Sequence, residues 1–385
     1  MRRRRVLLMI ETSLAYGRDL LRGINRYVVE HGPWSLYLDQ RELMSQPPDW
    51  LARWDGDGII SRWTTPELAN QFRAMPTPVV DLTDVYGNLG LAHLWTDNIA
   101  VGELAARHLL ERGFRHFAFC GYSNHDWSRR RMRGFEQTLR DAGHDCSILE
   151  STWQTLLMPN WDEQQEAIGA WLRDLPKPLG VMACNDMRGQ QVLDACRRFD
   201  LAVPEEVAVI GVDNDELLCI LCDPPLTSVT PNPERIGYEA AALLDRFMQG
   251  EARVASEILV EPIGIATRQS TDILAIDQPQ VSAALRYIRE HACQGISVGD
   301  VLKHVPIARS VLERQFRHYL SRSPQEEIRG VQMKRVCQLL AETDLALAQI
   351  AALTGFQHAE YLSVVFKRLT NETPGHYRKR VAPGK

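Results

Sequence analysis

The first 260 residues alternate between short apolar runs and longer stretches with helical periodicity. Runs such as 6–10 and 207–212 have the length of buried β-strands. Between such runs, stretches such as 99–113 carry apolar residues three and four positions apart, as amphipathic helices do. Continuous apolar strands separated by helices predict parallel sheets that are covered on both faces. The strands are too many for one small sheet, so the pattern predicts two α/β lobes.

Composition places the chain among ordinary globular proteins. It has 385 residues, of which 45% are hydrophobic and 24% are charged, enough for two or three domains. The N-terminal sequence MRRRRVLLMIETS has a basic start, but its apolar run is too short for the core of a signal peptide. We therefore expect a cytoplasmic protein without a membrane segment, in which the eight cysteines stay reduced.

Several common catalytic motifs are missing from the sequence. No G-x-G-x-x-G follows the first apolar run, and G-x-x-x-x-G-K-[ST], G-x-S-x-G and H-E-x-x-H do not occur. Cys219 and Cys222 have the two-residue gap of a zinc site, but no second pair follows at a suitable distance. We therefore expect two half-buried thiols there, and neither a metal nor a cofactor in the protein.

Polar side chains cluster where the predicted strands end, which is where open α/β sheets bind ligands. The candidate effector-binding side chains are Asp97, Arg131, Trp161, Asn185, Asp186 and Asp213. Carboxylates, an amide and an arginine can pair with fixed hydroxyls, while an aromatic face covers the C–H side of a sugar ring. Each aspartate could equally cap the helix that follows it. Only the set as a whole favours a sugar site.

Motifs between residues 95 and 245 resemble those of a known family. WTDNIAVGELAARHLLERGFRHFAFCGY, RRRMRGFEQTL, MACND, VPEEVAVIGVDND and PPLTSVTPNPERIGYEAAALL occur in a fixed order. Together they resemble the core of LacI/GalR-type regulators and their periplasmic sugar-binding relatives, and the likeness covers roughly residues 5–270. The resemblance implies a two-lobed, periplasmic-binding-protein-like core of type I, with effector contacts among the candidate residues above.

Charge is distributed unevenly along the chain. Residues 279–385 contain 16 Lys and Arg against 9 Asp and Glu, a balance of +7. Residues 1–278 contain 28 against 40, a balance of −12. A basic end on an acidic body suggests a polyanionic partner for that end alone.

Two segments near the C terminus share a helix-turn-helix pattern. In LALAQIAALTGFQHAEYLSVVFKRL, two runs with helical spacing flank a short turn at Gly355. An ordinary helical hairpin would also need such a glycine. However, VGDVLKHVPIARSVLERQFRHYL repeats the design, since Leu312 and Phe316 recur as Leu362 and Phe366. Between the copies, IRGVQMKRVCQLLAET is predicted to form one stiff helix, so the two units could enter successive turns of one major groove.

This tandem resembles the AraC-type DNA-binding domain. The likeness is carried by MKRVCQLL, IAALTGF and FKRLTNETPGHYR, and Pro306 stands where the family usually has glycine in the first unit. The resemblance implies an all-α domain that binds double-stranded promoter DNA, as a homodimer that contacts RNA polymerase. We therefore predict an effector domain at 1–272, a linker at 273–280 and a DNA-binding domain at 281–385.

Residues near the start of each second helix are candidates to face base edges. The base-reading candidates are Ser310, Glu313, Arg314, Ala359, Glu360 and Val364. Arg314 could pair with guanine and Glu313 could accept from cytosine. Ala359 and Val364 offer only apolar contact, for example to a thymine methyl.

The two glutamates have an alternative role, since Glu313 and Glu360 could be surface charges that pair with Arg317 or a neighbouring lysine. Other basic side chains suit phosphates, which position a protein on DNA without reading sequence. The phosphate candidates are Arg309, Arg317, Lys367, Arg368 and Arg378.

A sugar-binding core followed by an AraC-type domain is an uncommon order. With AYGRDLL, MPNW, GVDNDE, ATRQSTD and ALRYIREHACQGI, it resembles the regulators of xylose operons. That resemblance implies D-xylose or a similar monosaccharide as effector, activation of xylose-utilisation genes, and no enzymatic activity. Three alternatives stay open: a repressor of the same architecture, a transport receptor, and a sugar-processing enzyme that uses Asp213 and Asp215 as paired carboxylates.

Overall fold

The computed structural model describes residues 2–39, 50–153, 161–273 and 278–381. The chain divides into two compact units, Met1–Ile273 and Leu274–Lys385. Of the predicted linker, residues 274–277 lie outside the described residues.

Within its described ranges, the first unit forms twelve strands and eight α-helices. The strands are β1 (Arg4–Met9), β2 (Trp34–Leu38), β3 (Gly58–Ser61), β4 (Val79–Asp81), β5 (Ala92–Thr96), β6 (His116–Tyr122), β7 (Cys146–Ser151), β8 (Leu179–Ala183), β9 (Val207–Val212), β10 (Thr227–Thr230), β11 (Glu257–Val260) and β12 (Gly264–Ala266). The helices are α1 (Ala15–His31), α2 (Pro66–Ala74), α3 (Asn98–Glu111), α4 (Asp126–Asp141), α5 (Trp161–Asp174), α6 (Asp186–Arg198), α7 (Glu216–Leu221) and α8 (Pro233–Met248).

The strands form two six-stranded sheets, one in each lobe. The first has the order β11-β5-β4-β3-β1-β2 and is parallel throughout. The second has the order β12-β10-β9-β8-β6-β7, in which β12 alone runs antiparallel to its neighbour. Helix α3 packs on the second sheet and α8 on the first, so the chain passes between the lobes after β5, after β10 and after β11. The predicted two-lobed α/β fold is confirmed.

Buried apolar side chains fix each helix on its sheet. In the first lobe, Val6 of β1 and Ile10, which directly follows β1, pack with Leu20 and Ile24 of α1 and Leu244 of α8, and none is more than 1% exposed. Burying one such side chain is worth about 1.5–3 kcal/mol. The apolar spacing that predicted these elements is therefore also what holds the lobe together.

Helices α3 and α4 cross at two glycines. A Cβ atom on Gly102 would overlap the carbonyl oxygen of Arg131, and one on Gly134 would overlap the carbonyl oxygen of Ile99. The two backbones can approach this closely because glycine has no side chain. The crossing fixes Arg131 beside the start of α3.

In its described residues, the second unit contains helices and no strand. The helices are α9 (Pro279–His291), α10 (Val298–His304), α11 (Arg309–Leu320), α12 (Pro324–Glu342), α13 (Leu347–Leu353), α14 (Ala359–Thr370) and α15 (Pro374–Val381). Helices α10 and α11 form the first helix-turn-helix and α13 and α14 the second, with the long α12 between them. The predicted all-α domain with two such units is confirmed.

The two turns use different backbone conformations. Gly355 has a φ of +74°, and a Cβ atom there would lie 2.5 Å from the backbone nitrogen of Gly295. In the first helix-turn-helix, Val305 has a φ of −111°, and no residue of the described turn 305–308 has a positive φ. Pro306 is therefore compatible with this turn, which does not need the glycine usual in the family.

Candidate effector site and candidate DNA interface

A cleft of about 820 Å³, partly open to solvent, lies between the two lobes of the first unit. It lies where strands of both sheets end, since Arg62 directly follows β3 and Asp213 directly follows β9. From the first lobe the lining residues are Leu14, Ala15, Tyr16, Arg62, Asp84 and Val85. From the second lobe they are His125, Trp127, Arg131, Trp153, Asn185, Asp186, Met187, Asp213, Asp215 and Leu218.

Arg131 organises the second-lobe wall of the cleft. Its guanidinium donates to Asn98 Oδ1 at 2.8 Å, to the carbonyl oxygen of Cys184 at 2.6 Å and to Asp213 Oδ1 at 3.2 Å. It also lies 4.8 Å from the ring centre of Trp127. Burial raises the pKa of Asp213, and the charge of Arg131 opposes that shift. These bonds fix the position of the Arg131–Asp213 pair.

Arg62 has the corresponding role in the first-lobe wall. It forms ion pairs with Glu11 and with Asp84, the latter at 3.9 Å, and lies 4.5 Å from the ring centre of Tyr16. Burial alone would lower the pKa of the Arg62 guanidinium. The negative charges of Glu11 and Asp84 have a larger opposite effect, so the pKa is raised. The Tyr16 hydroxyl is hydrogen-bonded to Thr96 Oγ1 at 2.8 Å.

Sequence reasoning missed this first-lobe wall. Arg62 and Asp84 follow the ends of β3 and β4, which is the same signal that drew attention to Asp213. The runs GIIS and VVD that precede them are short, so this signal was weak.

Asn185 and Asp186 lie at the start of α6. Asn185 Oδ1 caps the helix by accepting from the Arg188 amide at 2.9 Å. Asp186 accepts from Ser228 Oγ at 2.6 Å and from the Asp215 amide at 2.8 Å. Burial, with a smaller contribution from the charge of Asp213, raises the pKa of Asp186 to about 8. Burial therefore favours the protonated form of this carboxyl.

Two of the six predicted effector contacts do not line the cleft. Asp97 caps α3 by accepting from the Ala100 amide at 3.0 Å, so its carboxylate faces the helix end. Trp161 begins α5, is 50% exposed and is not among the residues that line the cleft. The aromatic rings that do line the cleft include Trp127 and Trp153. The other four predicted residues come together there.

Negative charge in the cleft wall fully offsets the positive charge. Arg62 and Arg131 are matched by the carboxylates of Asp84, Asp213 and Asp215. No surplus of positive charge is left for a phosphate or a carboxylate ligand. Donors, acceptors and aromatic faces without net positive charge suit a neutral, hydroxyl-rich molecule.

The base-reading candidates differ in exposure. Ser310 and Arg314 on α11 are exposed, as are Glu360 and Val364 on α14, and Val364 is 65% exposed. Glu313 and Ala359 are half-buried. Glu313 pairs with Arg309 at 3.0 Å rather than with Arg317.

The phosphate candidates also separate into two groups. Arg317, Lys367 and Arg368 are exposed, as is Arg309 in its pair with Glu313. Arg378 instead donates to the carbonyl oxygens of Leu340, at 3.4 Å, and Leu345, at 2.6 Å. These two bonds tie α15 to α12 and to the connection that follows it, which accounts for a basic residue at this position without a phosphate.

Three family models match the chain. A periplasmic binding protein-like domain matches residues 106–271, a XylR N-terminal domain matches 5–92 and a helix-turn-helix domain matches 301–380. A two-lobed effector unit joined to a tandem helix-turn-helix defines a DNA-binding transcriptional regulator, and not an enzyme. No helix in the described parts of the chain has the length and apolar character needed to cross a bilayer.

Similar proteins that match nearly the whole chain identify a family within this class of transcriptional regulators. The chain is 31% identical over 390 residues to the xylose operon regulatory protein of Escherichia coli (strain K12), covering 98% of this chain and 97% of that protein. Identity to the protein of that name from Haemophilus influenzae is 30% over 382 residues, covering 97% and 98%. A solved structure of the xylose-binding transcription activator xylR matches with a TM-score of 0.82 and 30% identity, covering 99% of each chain. This chain belongs to the family of xylose operon regulatory proteins.

Proposed function

We propose that the protein binds D-xylose, or a closely similar monosaccharide, in the interlobe cleft and thereby activates xylose-utilisation genes. The observation that carries the proposal is a cleft wall in which two buried arginines are already paired with carboxylates, beside aromatic rings. The names of the full-length relatives supply the particular sugar.

The cleft wall can bind a pentose from both lobes. Arg131, Asn185, Asp186 and Asp213 would contact hydroxyls from the second lobe, and Arg62 from the first. Trp127 and Trp153 would cover the C–H face of the ring. A sugar phosphate would need a surplus of positive charge, which the paired arginines do not offer.

The proposed switch is a shift between conformations of the effector unit. A sugar that contacts both lobes favours the form in which they are closest, in proportion to its differential affinity for that form. In a cytoplasmic homodimer, this change would alter how α11 and α14 engage promoter DNA and bring the protein into contact with RNA polymerase.

On DNA, the exposed faces of α11 and α14 would enter the major groove. Base contacts would come from the candidates on these helices, with Arg314 the best suited to guanine. Arg309, Arg317, Lys367 and Arg368 would hold phosphates. Because Arg378 is bonded inside the unit, we expect it to contribute least of the phosphate candidates.

Thermal unfolding across a panel of monosaccharides tests the effector. A sugar at 100 times its Kd should stabilise the protein by roughly 2.7 kcal/mol if it binds only the native state. We expect D-xylose to give the largest shift in Tm. A flat response to every pentose would rule out the proposed ligand.

Two matched variants test the position of the site. Asp213→Ala should abolish the shift with D-xylose, because Asp213 lines the cleft and pairs with Arg131. Trp161→Ala removes a residue that was also predicted to bind the sugar but lies outside the cleft lining, so its response should stay at the wild-type level. A normal response in Asp213→Ala would show that the site is elsewhere.

A repressor of the same architecture is the second candidate. The chain is 28% identical over 241 residues to the HTH-type transcriptional repressor CytR of Escherichia coli (strain K12), covering 60% of this chain. Transcription from a bound promoter, measured with and without D-xylose, separates the two. Sugar-dependent synthesis supports the activator, whereas synthesis that the protein blocks until sugar is added supports the repressor.

A further inference from the structure

The first unit ends in a segment, residues 264–273, that we call the exit strap because the chain continues from it into the second unit. The strap begins with β12, which pairs with β10, and ends in a 3-10 turn, Gln269–Thr271. Its polar side chains are unusually well buried for a chain end, since Ser270 and Thr271 have no exposed surface.

Polar bonds fix the strap to the second lobe. Ser270 Oγ donates to the carbonyl oxygen of Val209 at 2.6 Å. Thr271 Oγ1 lies 2.8 Å from His108 Nε2, and its carbonyl oxygen accepts from Arg112 Nε at 2.9 Å. Burial lowers the pKa of His108 to about 4, so this contact stays uncharged at neutral pH. The strap therefore has a defined position relative to the second sheet, whose strand ends form one wall of the cleft.

The cleft loop 213–215 has a sparsely populated backbone conformation. Asp213 has a φ of +106° and Asn214 a φ of +49°, which non-glycine residues rarely adopt. The loop is held by Asp186, which accepts from the Asp215 amide, and by Ser228 Oγ, which accepts from the Asn214 amide at 2.9 Å. A ligand that changes the Arg131–Asp213 pair therefore acts on a strained segment.

Arg268 joins the strap to this loop. Its Nη2 donates to Asn214 Oδ1 at 2.8 Å, and its Nη1 donates to the carbonyl oxygen of Leu226 at 3.0 Å. Its backbone amide donates to Thr227 Oγ1 at 2.8 Å. The half-buried guanidinium of Arg268 thus bonds to Asn214, whose neighbour Asp213 lines the cleft. The backbone of Arg268 belongs to the strap.

We infer that Asn214 and Arg268 are positioning residues that transmit occupancy of the cleft to the exit strap. The inference rests on the proposed function. When sugar hydroxyls engage Asp213, the 213–214 backbone shifts, the side chain of Asn214 moves with it, and Arg268 carries the displacement into the strap. Neither residue needs to touch the sugar, because Asn214 and Arg268 are absent from the cleft lining.

A pair of substitutions at one position tests the link in the full-length protein. Asn214→Gly removes the acceptor for Arg268 but permits the positive φ, whereas Asn214→Asp keeps an acceptor oxygen. We would measure D-xylose binding by calorimetry, and affinity for a duplex that the wild-type protein selects from a random pool, with and without saturating D-xylose. Arg268→Lys is a second loss variant, because an ammonium cannot reproduce the two-nitrogen contact with Asn214 and Leu226.

The expected result is a loss of coupling without a loss of binding. In the wild type, D-xylose should change duplex affinity by about 5–150-fold, the usual range for coupled sites. Asn214→Gly and Arg268→Lys should bind D-xylose within about threefold of the wild type while that change falls toward onefold, and Asn214→Asp should retain most of it. Hydrogen exchange of the strap amides should respond to D-xylose in the wild type and not in Asn214→Gly.

The outcomes separate the two proposals. A wild-type protein whose duplex affinity ignores every monosaccharide would overturn the proposed function and this inference together. A responsive wild type with an equally responsive Asn214→Gly would overturn the inference alone. So would a loss of D-xylose binding in Asn214→Gly, because Asn214 would then position the ligand rather than the strap.

Discussion

The two helix-turn-helix units share their interior and differ on their outer face. Leu312 and Phe316 in the first helix-turn-helix match Leu362 and Phe366 in the second helix-turn-helix, and all four have no exposed surface. Each second helix also ends in the same way, since Ser321 and Asn371 both adopt the left-handed conformation, with φ values of 55° and 59°.

The outer faces carry different chemistry at equivalent positions. Ser310 and Arg314 on α11 correspond to Glu360 and Val364 on α14, and all four are exposed. One face therefore offers a guanidinium and a hydroxyl, and the other a carboxylate and an apolar branch. Residues that build the scaffold repeat, whereas residues that would read DNA do not, so the two units should recognise different base pairs.

The largest expected effects come from the shared interior. Phe316→Ala and Phe366→Ala should each destabilise the second unit by about 3–5 kcal/mol, the usual cost of such truncation in a packed core. Denaturation followed by helical circular dichroism measures this loss. All nine tryptophans lie before residue 274, so the tryptophan fluorescence transition serves as a control and should not move. A small cost for one phenylalanine alone would break the equivalence of the two units.

The turns should respond unequally. Gly355→Ala forces a Cβ atom against Gly295 and keeps a residue at a φ of +74°, so we expect a loss of about 1–3 kcal/mol. Pro306→Ala, in the exposed first turn, should cost less than about 1 kcal/mol. The same denaturation experiment compares them, and equal costs would mean that the first turn is as constrained as the second.

The reading faces should differ in specificity. Arg314→Ala should weaken binding to the selected duplex by about 1–3 kcal/mol and relax the preference at one guanine. Val364→Ala removes only apolar contact, so its cost should be smaller and should fall on an A·T pair. Duplexes with single base changes measure both effects. An Arg314→Ala variant that keeps every base preference would remove this residue from the reading face.

The smallest effects should come from the phosphate contacts. Arg317 and Lys367 lie at equivalent exposed positions on α11 and α14, so we would compare Arg317→Ala with Lys367→Ala. Each should weaken all duplexes alike and reduce the slope of log affinity against log salt by about one. Arg378→Ala is the comparison, since its bonds lie inside the unit; it should lower stability more than the salt slope.

Much of the fold can be predicted from the spacing of apolar residues along the sequence. The alternation of apolar runs and helices predicts both sheets, because a strand buried on two faces must be apolar at every position. The repeat of Leu312 and Phe316 as Leu362 and Phe366 predicts the two helix-turn-helix motifs for a similar reason, since helix packing selects the same positions in each motif. Such signals depend on neighbours in sequence and can be read without a structure.

The site is only partly accessible to that reasoning. A carboxylate at a strand end can face the next helix or the ligand, and spacing does not distinguish Asp97, which caps α3, from Asp213, which lines the cleft. Trp161 and Trp153 also look alike in sequence, yet only Trp153 lines the cleft. Arg62 and Arg131 lie on opposite walls of the same cleft, a proximity that depends on how the two lobes come together and not on spacing along the chain.

The connection of β11 to the first sheet has a consequence for synthesis on the ribosome. The parallel strands of the second lobe come from one continuous stretch of chain, whereas the first sheet pairs β5 with a segment that ends at Val260. Until that segment emerges, a nascent chain exposes the unpaired edge of β5, which is a template for wrong partners. The lobe that is translated first is therefore among the last parts of its unit to be completed.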